Sequence, residues 1–227
     1  MSEVGASVAP VDMGMDRNTE DWLADTRVSY DTVAASYADQ MREALDEAPY
    51  VRAALALLAE KVRLAGGGSV ADVGCGPGHV TAHLRGLGLD AFGIDLSPAM
   101  VDVARREHPG VRFEVGSMTE LELPDASVGG LLAYWSLVHM PDAALPGVFA
   151  HFRRVVRAGG PVVVGFHVGE GARLKSEGYG GHPMKVYVHR RQPAQVAGLL
   201  REAGFAVEAQ LLLSPDADVP GVILFAA

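Results

Sequence analysis

The chain has 227 residues, 49% hydrophobic and 21% charged, a balance that fits one soluble domain able to bury a sizeable core and argues against a disordered or fibrous protein. With 19 Lys and Arg against 28 Asp and Glu, its formal net charge of -9 disfavours nucleic acid as a partner. One cysteine, Cys75, excludes an internal disulfide, and with neither a signal-like opening nor an apolar run of about 18 residues the protein is expected to be cytoplasmic, with no membrane partner.

Residues 1–16 mix Gly, Ser, Ala and acids with no apolar period and read as a flexible tail, leaving 17–227 as a single domain. Between about Asp21 and Asp46, the apolar residues Trp22, Val28, Val33, Ala34, Tyr37 and Met41 recur near helical spacing and predict one or two short helices. Tyr50 to Leu64 is the clearest helix, closed by Gly66 to Gly68. From Ser69 onward, β-rich runs alternate with helical stretches near His79–Leu87, Pro98–Glu107 and Ala143–Val156. Ser97 before Pro98 supplies an N-cap followed by proline at the first helical position. A helix over Pro193–Ala203 precedes two final strands, "GFAVEAQLLL" and "GVILFAA", for seven in all. The pattern predicts an α/β fold, a doubly wound and mostly parallel sheet over 69–227.

The first strand runs into "VADVGCGPGHV", with glycines at 74, 76 and 78. A tight turn needs one glycine; three in five residues suit a backbone that a ligand approaches at a helix N-terminus. His79 stands where a dinucleotide fingerprint wants glycine or alanine, which weakens a nicotinamide or flavin reading. Asp95 closes the second strand, where an acid accepts hydrogen bonds from the ribose hydroxyls of an adenosine. Asp72, two residues before the first glycine, would repel a pyrophosphate and attract a sulfonium and an ammonium.

"DVGCGPG", "GIDLSPAMVDVAR" and "VRFEVGSMTELELPDASVGGLLAYWSLVHMPD" together resemble the class I S-adenosylmethionine-dependent methyltransferases, the small-molecule group in particular. The resemblance runs from about Tyr30 to the C-terminus and is strongest from Val70 to Asp142. It implies a Rossmann-like seven-stranded sheet with the last strand inserted antiparallel, S-adenosylmethionine as cofactor and S-adenosylhomocysteine as product. Gly74, Cys75, Gly76 and Gly78 would lie under the methionine portion, Asp72 near its amino group and Asp95 at the ribose. Leu96 and Met100 would border the adenine, and Ser117 and Met118 would meet it. Tyr30, Asp31, Ala34 and Tyr37 match the family's "YDxxAxxY" prologue and would make 17–65 a helical lid and first helix. Tyr134 and Trp135 would lie beside the point of methyl transfer, with core or adenine packing preferred to a catalytic role for Trp135.

No acid follows the fourth strand before Asp142, so no metal is expected. The chemistry the resemblance leaves is methyl transfer to an oxygen or nitrogen of a small molecule, by alignment of reactants and removal of a proton, with specialised metabolism as the expected setting. His139 and His167, at the rim of the sheet, are the candidate bases, and a loop-ordering role for His139 is the alternative. The segment 169–191 reads as a polar, glycine-rich insertion on the substrate side, with Tyr179 and His182 as candidate pocket residues. Its bases, Arg173, Lys175, Lys185, Arg190 and Arg191, fit either an anion-selecting surface or a solvated face. A protein that keeps the cofactor pocket but transfers no methyl group, an interaction module or a different catalyst, is the competing reading. Either would work as a monomer or homodimer.

Overall fold

The computed structural model describes residues 17–227, with side chains from residue 21 onward. The expected tail, 1–16, lies outside the described residues. Helix α1 (Arg17–Met41) is one continuous helix rather than two short ones, because no Gly or Pro interrupts it. α2 (Pro49–Leu64) follows, and then the alternating body: β1 (Ser69–Val73), α3 (His79–Gly86), β2 (Asp90–Asp95), α4 (Pro98–Glu107), β3 (Phe113–Val115), β4 (Gly130–Tyr134), α5 (Leu145–Val155) and β5 (Val162–His167). Ser97 caps α4 as the sequence predicts, its Oγ accepting from the Met100 amide at 3.1 Å.

A hairpin, β6 (Ala172–Gly178) and β7 (His182–His189), precedes α6 (Pro193–Glu202), β8 (Val207–Leu213) and β9 (Gly221–Ala226). The seven-stranded sheet has the order β3-β2-β1-β4-β5-β9-β8. Its first five strands are parallel, while β9 runs antiparallel between β5 and β8. The hairpin forms a separate two-stranded sheet, so the 169–191 segment is a β-hairpin rather than an irregular connection.

Alternation explains the layers. Ala71, Val73, Leu131, Ala133, Val162 and Val164 face α5 and α6, where Phe149, Phe152 and Leu200 pack on them. Their neighbours Val70, Leu132 and Val163 point the other way, onto Leu55, Leu58 and Val62 of α2. Helices cover both faces, which is why β4 and β5 read as apolar runs and β1 does so apart from the buried Asp72. The helix α1 stays off the sheet, and its Val33, Ala34 and Ala38 pack with Met100 of α4 and with Met184 and Val186 of β7. The parallel strands therefore end together beneath α1 and the hairpin, on the side of the sheet where such folds bind ligands.

Candidate functional site

The β1–α3 loop is closed mostly by its own bonds. The amides of Gly74 and Cys75 donate to the Ile94 carbonyl at 2.7 and 3.1 Å, and that of Gly78 donates to Cys75 O at 3.1 Å. The Gly76 amide donates to Asp95 Oδ2 at 2.8 Å. All four amides are thus engaged internally. The glycines also differ in purpose. A Cβ on Gly74 would stand 2.2 Å from the Ser136 Cβ, and one on Gly78 2.5 Å from the Phe113 ring, so packing with a left-handed φ requires both. Only at Gly76 is the space open, the nearest atom being on the Tyr37 ring at 3.7 Å. Cys75 is buried, and a Cβ on Gly93 would meet its sulfur at 2.6 Å, which is a packing contact; burial pushes its thiol pKa up.

Two adjoining chambers open beyond this loop. The first, about 100 Å³, is lined by Asp95, Leu96, Met100, Ser117 and Met118. Asp95 also accepts from the Ser97 amide at 2.9 Å, so each of its oxygens holds a backbone N–H while keeping a lone pair for a further partner. Burial raises its pKa, against the lowering effect of those two bonds. The Ser117 hydroxyl is paired with Thr119 Oγ1 at 2.6 Å.

The second chamber, about 340 Å³, is lined by Asp72, Gly76, His139, His167, Lys175 and Tyr179, among others. Tyr30, Tyr37, Tyr134 and Trp135 face both chambers. Asp72 is 1% exposed and accepts one hydrogen bond, from Thr81 Oγ1 at 2.6 Å. Burial drives its pKa up to about 7, with Thr81 lowering it and the nearby Asp95 charge raising it. A cation placed in the chamber would reverse that shift.

Three consecutive residues tie α1 over the chambers. Ser29 Oγ accepts from the Lys185 amide of β7 at 2.8 Å. The Tyr30 hydroxyl lies 2.6 Å from His139 Nε2. Asp31 Oδ1 accepts from Ser97 Oγ at 2.6 Å and from the Ala99 amide at 3.1 Å.

The histidine bonds fix their tautomers. His139 Nδ1 lies 3.0 Å from the Tyr187 carbonyl, which can only accept, so the proton sits on Nδ1 and Nε2 accepts from Tyr30. Burial holds this imidazole neutral, its pKa lowered to about 4. His167 Nδ1 accepts from Trp135 Nε1 at 3.2 Å, which places its proton on Nε2. Its remaining nitrogen is thus a donor, and the expectation of His167 as a base is corrected on that ground. Trp135 has a left-handed φ of 52°, and its ring fills space left by Gly165 and Gly221, where a Cβ would lie 2.7 and 2.8 Å away. It is a packing and orienting residue.

His182 is exposed in the hairpin and lines neither chamber, whereas Tyr179 faces the second, its ring edge-on to Tyr37 at 4.5 Å. Sequence reasoning missed Ser136, whose Oγ donates to Val73 O at 2.8 Å beside Gly74, and it did not separate Lys175 from the other bases of the insertion. The serine carries no local signal. Among the described residues no cluster of three or more His, Cys, Asp or Glu is placed to hold a metal, and no helix is long and apolar enough to cross a membrane.

A family model described as a methyltransferase domain matches residues 70–160. Malonyl-[acyl-carrier protein] O-methyltransferase of Serratia marcescens is 34% identical over 97 residues, 43% of this chain and 37% of that protein. O-methyltransferase cnsE of Penicillium expansum is 34% identical over 159 residues, 62% of this chain and 53% of that protein. The chain thus spans about a third to a half of the length of these curated relatives. Among solved structures, Burkholderia thailandensis 1,6-didemethyltoxoflavin-N1-methyltransferase, with 1,6-didemethyltoxoflavin and S-adenosylhomocysteine bound, superposes with a TM-score of 0.69 at 24% identity, covering 98% of this chain and 92% of that one.

Proposed function

We propose that this protein transfers a methyl group from S-adenosylmethionine to an oxygen or nitrogen of a small acceptor, since residues 70–160 match the methyltransferase-domain model and the sheet order agrees with that of the class I S-adenosylmethionine-dependent fold. The observation that carries the reading is the pairing of a fully buried acid, Asp72, with a half-buried one, Asp95, around one bare loop. Asp95 keeps lone pairs toward the first chamber, Gly76 leaves open space, and Asp72 is a buried carboxyl with no cation beside it.

These residues fit the cofactor. Asp95 would hold the ribose hydroxyls, Leu96, Met100, Ser117 and Met118 would border the adenine, and Asp72 would take the ammonium. When bound, the cofactor supplies a methyl group made electrophilic by a sulfonium. The protein's own part is alignment, exclusion of water by α1, and handling of one proton. His139 lines both chambers, and its Nε2 is the acceptor that Tyr30 holds. The Tyr30 oxygen can therefore take the acceptor's proton while its own passes to His139, whose Nδ1–H stays on the Tyr187 carbonyl. The end of β4, Tyr134–Trp135–Ser136, offers no carboxylate, and Asp142 is paired with Arg191, so the reaction is written without a metal.

Calorimetry with S-adenosylmethionine and S-adenosylhomocysteine tests the pocket. Wild type is expected to bind at micromolar concentration, and Asp95→Ala to weaken binding by about 10- to 100-fold, the effect of removing hydrogen bonds to a charged acceptor. No binding to wild type at millimolar ligand would overturn the reading. Binding without methylation of any acceptor would favour the non-methylating alternative. On an identified hydroxyl acceptor, Tyr30→Phe and His139→Ala are expected to lower kcat by a similar factor, about 10²-fold, with little change in cofactor affinity.

A further inference from the structure

Five bases decorate the inserted hairpin segment, and the structure sorts them. The Arg191 guanidinium is buried, bonded to Asp142 at 2.7 Å and to the carbonyls of Leu137 and Met140. Lys185 is paired with Asp25 of α1 at 2.8 Å. Arg190 lays its stem against Gly169, where a Cβ would lie 3.0 Å from its Cδ, and Arg173 is exposed. Lys175 differs from all four: it lines the second chamber, its ammonium sits 3.7 Å above the centre of the Tyr179 ring, and no carboxylate pairs with it among the described residues.

A partly buried cation over an aromatic face keeps some attraction from the ring but has lost part of its hydration, and an anion would restore more than that. The surroundings favour such a partner. His167 presents an N–H through its fixed tautomer, and both Lys175 and His167 lie close enough to His139 to help keep it uncharged. The one carboxyl lining this chamber, Asp72, belongs to the tip of β1, next to the glycine loop, whereas Lys175 belongs to the hairpin beyond β5. The chamber thus takes its carboxyl and its ammonium from separate elements. Between them stand flat aromatic walls, Tyr30, Tyr37, Tyr179 and Trp135.

We infer that Lys175 recognises an oxyanion on the methyl acceptor, and that the acceptor is a small flat molecule carrying a carboxylate or phosphate group away from the atom that is methylated. This rests on the methyltransferase reading for its word "acceptor", though the anion site itself is a property of the chamber.

The test is titration of benzoate, phenyl phosphate and neutral benzamide into the protein, with and without saturating S-adenosylhomocysteine, in wild type, Lys175→Met, Lys175→Arg and Lys185→Met. In wild type at least one of the two anions is expected to bind about tenfold or more tightly than benzamide, a difference of roughly one factor of ten in Kd. Lys175→Met should abolish that preference, Lys175→Arg should keep most of it, and Lys185→Met should leave it unchanged. The stronger of the two anions tells carboxylate from phosphate. Equal affinities for anions and benzamide, or a preference that survives Lys175→Met, would overturn the inference. So would a preference lost together with S-adenosylhomocysteine affinity in Lys175→Met, since that assigns the lysine to the cofactor's carboxylate. Failure of wild type to bind S-adenosylhomocysteine would sink the methyltransferase reading instead, leaving the anion site to be judged from the titrations without it.

Discussion

The β1–α3 loop and the β6–β7 hairpin are both glycine-rich, yet they are built in opposite ways. In the loop, every amide from 74 to 78 that exists is engaged, and two of the three glycines are pressed against side chains. In the hairpin, Tyr179, Gly180 and Gly181 turn in the left-handed region, Gly181 with open surroundings, and most residues of β6 are exposed. The first region is defined by what it cannot change. The second is held at a few anchor points. A rigid loop and a sparsely anchored hairpin thus border one chamber without sharing constraints.

Glycine substitutions probe that contrast most strongly. Gly74→Ala puts a Cβ 2.2 Å from Ser136 at a φ of 76° and is expected to destabilise by about 3–5 kcal/mol. Gly181→Ala, with a φ of 80° but nothing nearer than 4.0 Å, should lose only about 1 kcal/mol. Denaturant unfolding measures both, and equal losses would break the comparison.

Arg191 tests the anchor between the regions. Its backbone amide donates to His167 O at 3.0 Å while its guanidinium holds the turn that carries His139. Arg191→Met leaves those carbonyls and Asp142 without their donor, and about 3 kcal/mol of stability should go with it. If the hairpin is otherwise loosely held, activity should fall further than stability, which parallel unfolding and turnover measurements would resolve.

A modest effect should come from Asp72, and it has a sign opposite to the others. Its pKa is raised by burial from an ordinary 3.8 to about 7, so the folded protein without ligand holds a proton that the unfolded chain gives up as pH rises from about 4 to 7. Stability from this group therefore declines across that interval. Asp72→Asn, which can keep the Thr81 bond, is expected to raise the melting temperature of the ligand-free protein at pH 8 by a few degrees, about 1–2 kcal/mol. The same change should weaken S-adenosylhomocysteine, and wild-type affinity should itself drop as pH falls below about 7. A ligand-free protein destabilised at pH 8 by the substitution would refute the assignment.

The parallel core was legible in sequence because both faces of its strands are buried, so Val70–Val73 and Val162–Val164 announce themselves by apolar runs and Ser97–Pro98 by its capping chemistry. The acceptor side was harder for a physical reason: its contacts join residues far apart in the chain. Tyr30 and His139 are separated by 109 positions, and nothing near either one specifies the other. Arg191 illustrates the same limit. Beside Arg190 in a polar stretch it resembles a solvated base, yet it is 2% exposed because its partners are backbone carbonyls, which leave no mark in composition. The alternation of Val186 and Val188 with Lys185 and Tyr187 was a readable strand signal in a segment whose polarity suggested a loop.

Ser29, Tyr30 and Asp31 bond to three separate elements: the hairpin, the turn bearing His139, and the start of α4. Successive residues of a helix point about 100° apart, so these ties wrap more than half its circumference. No roll or tilt of α1 can release one while sparing the others. On the proposed reading, a lid tied this way opens as one unit; if that opening is slower than methyl transfer, rapid mixing should show a first burst of product before the steady rate, and a linear onset would place the slow step elsewhere.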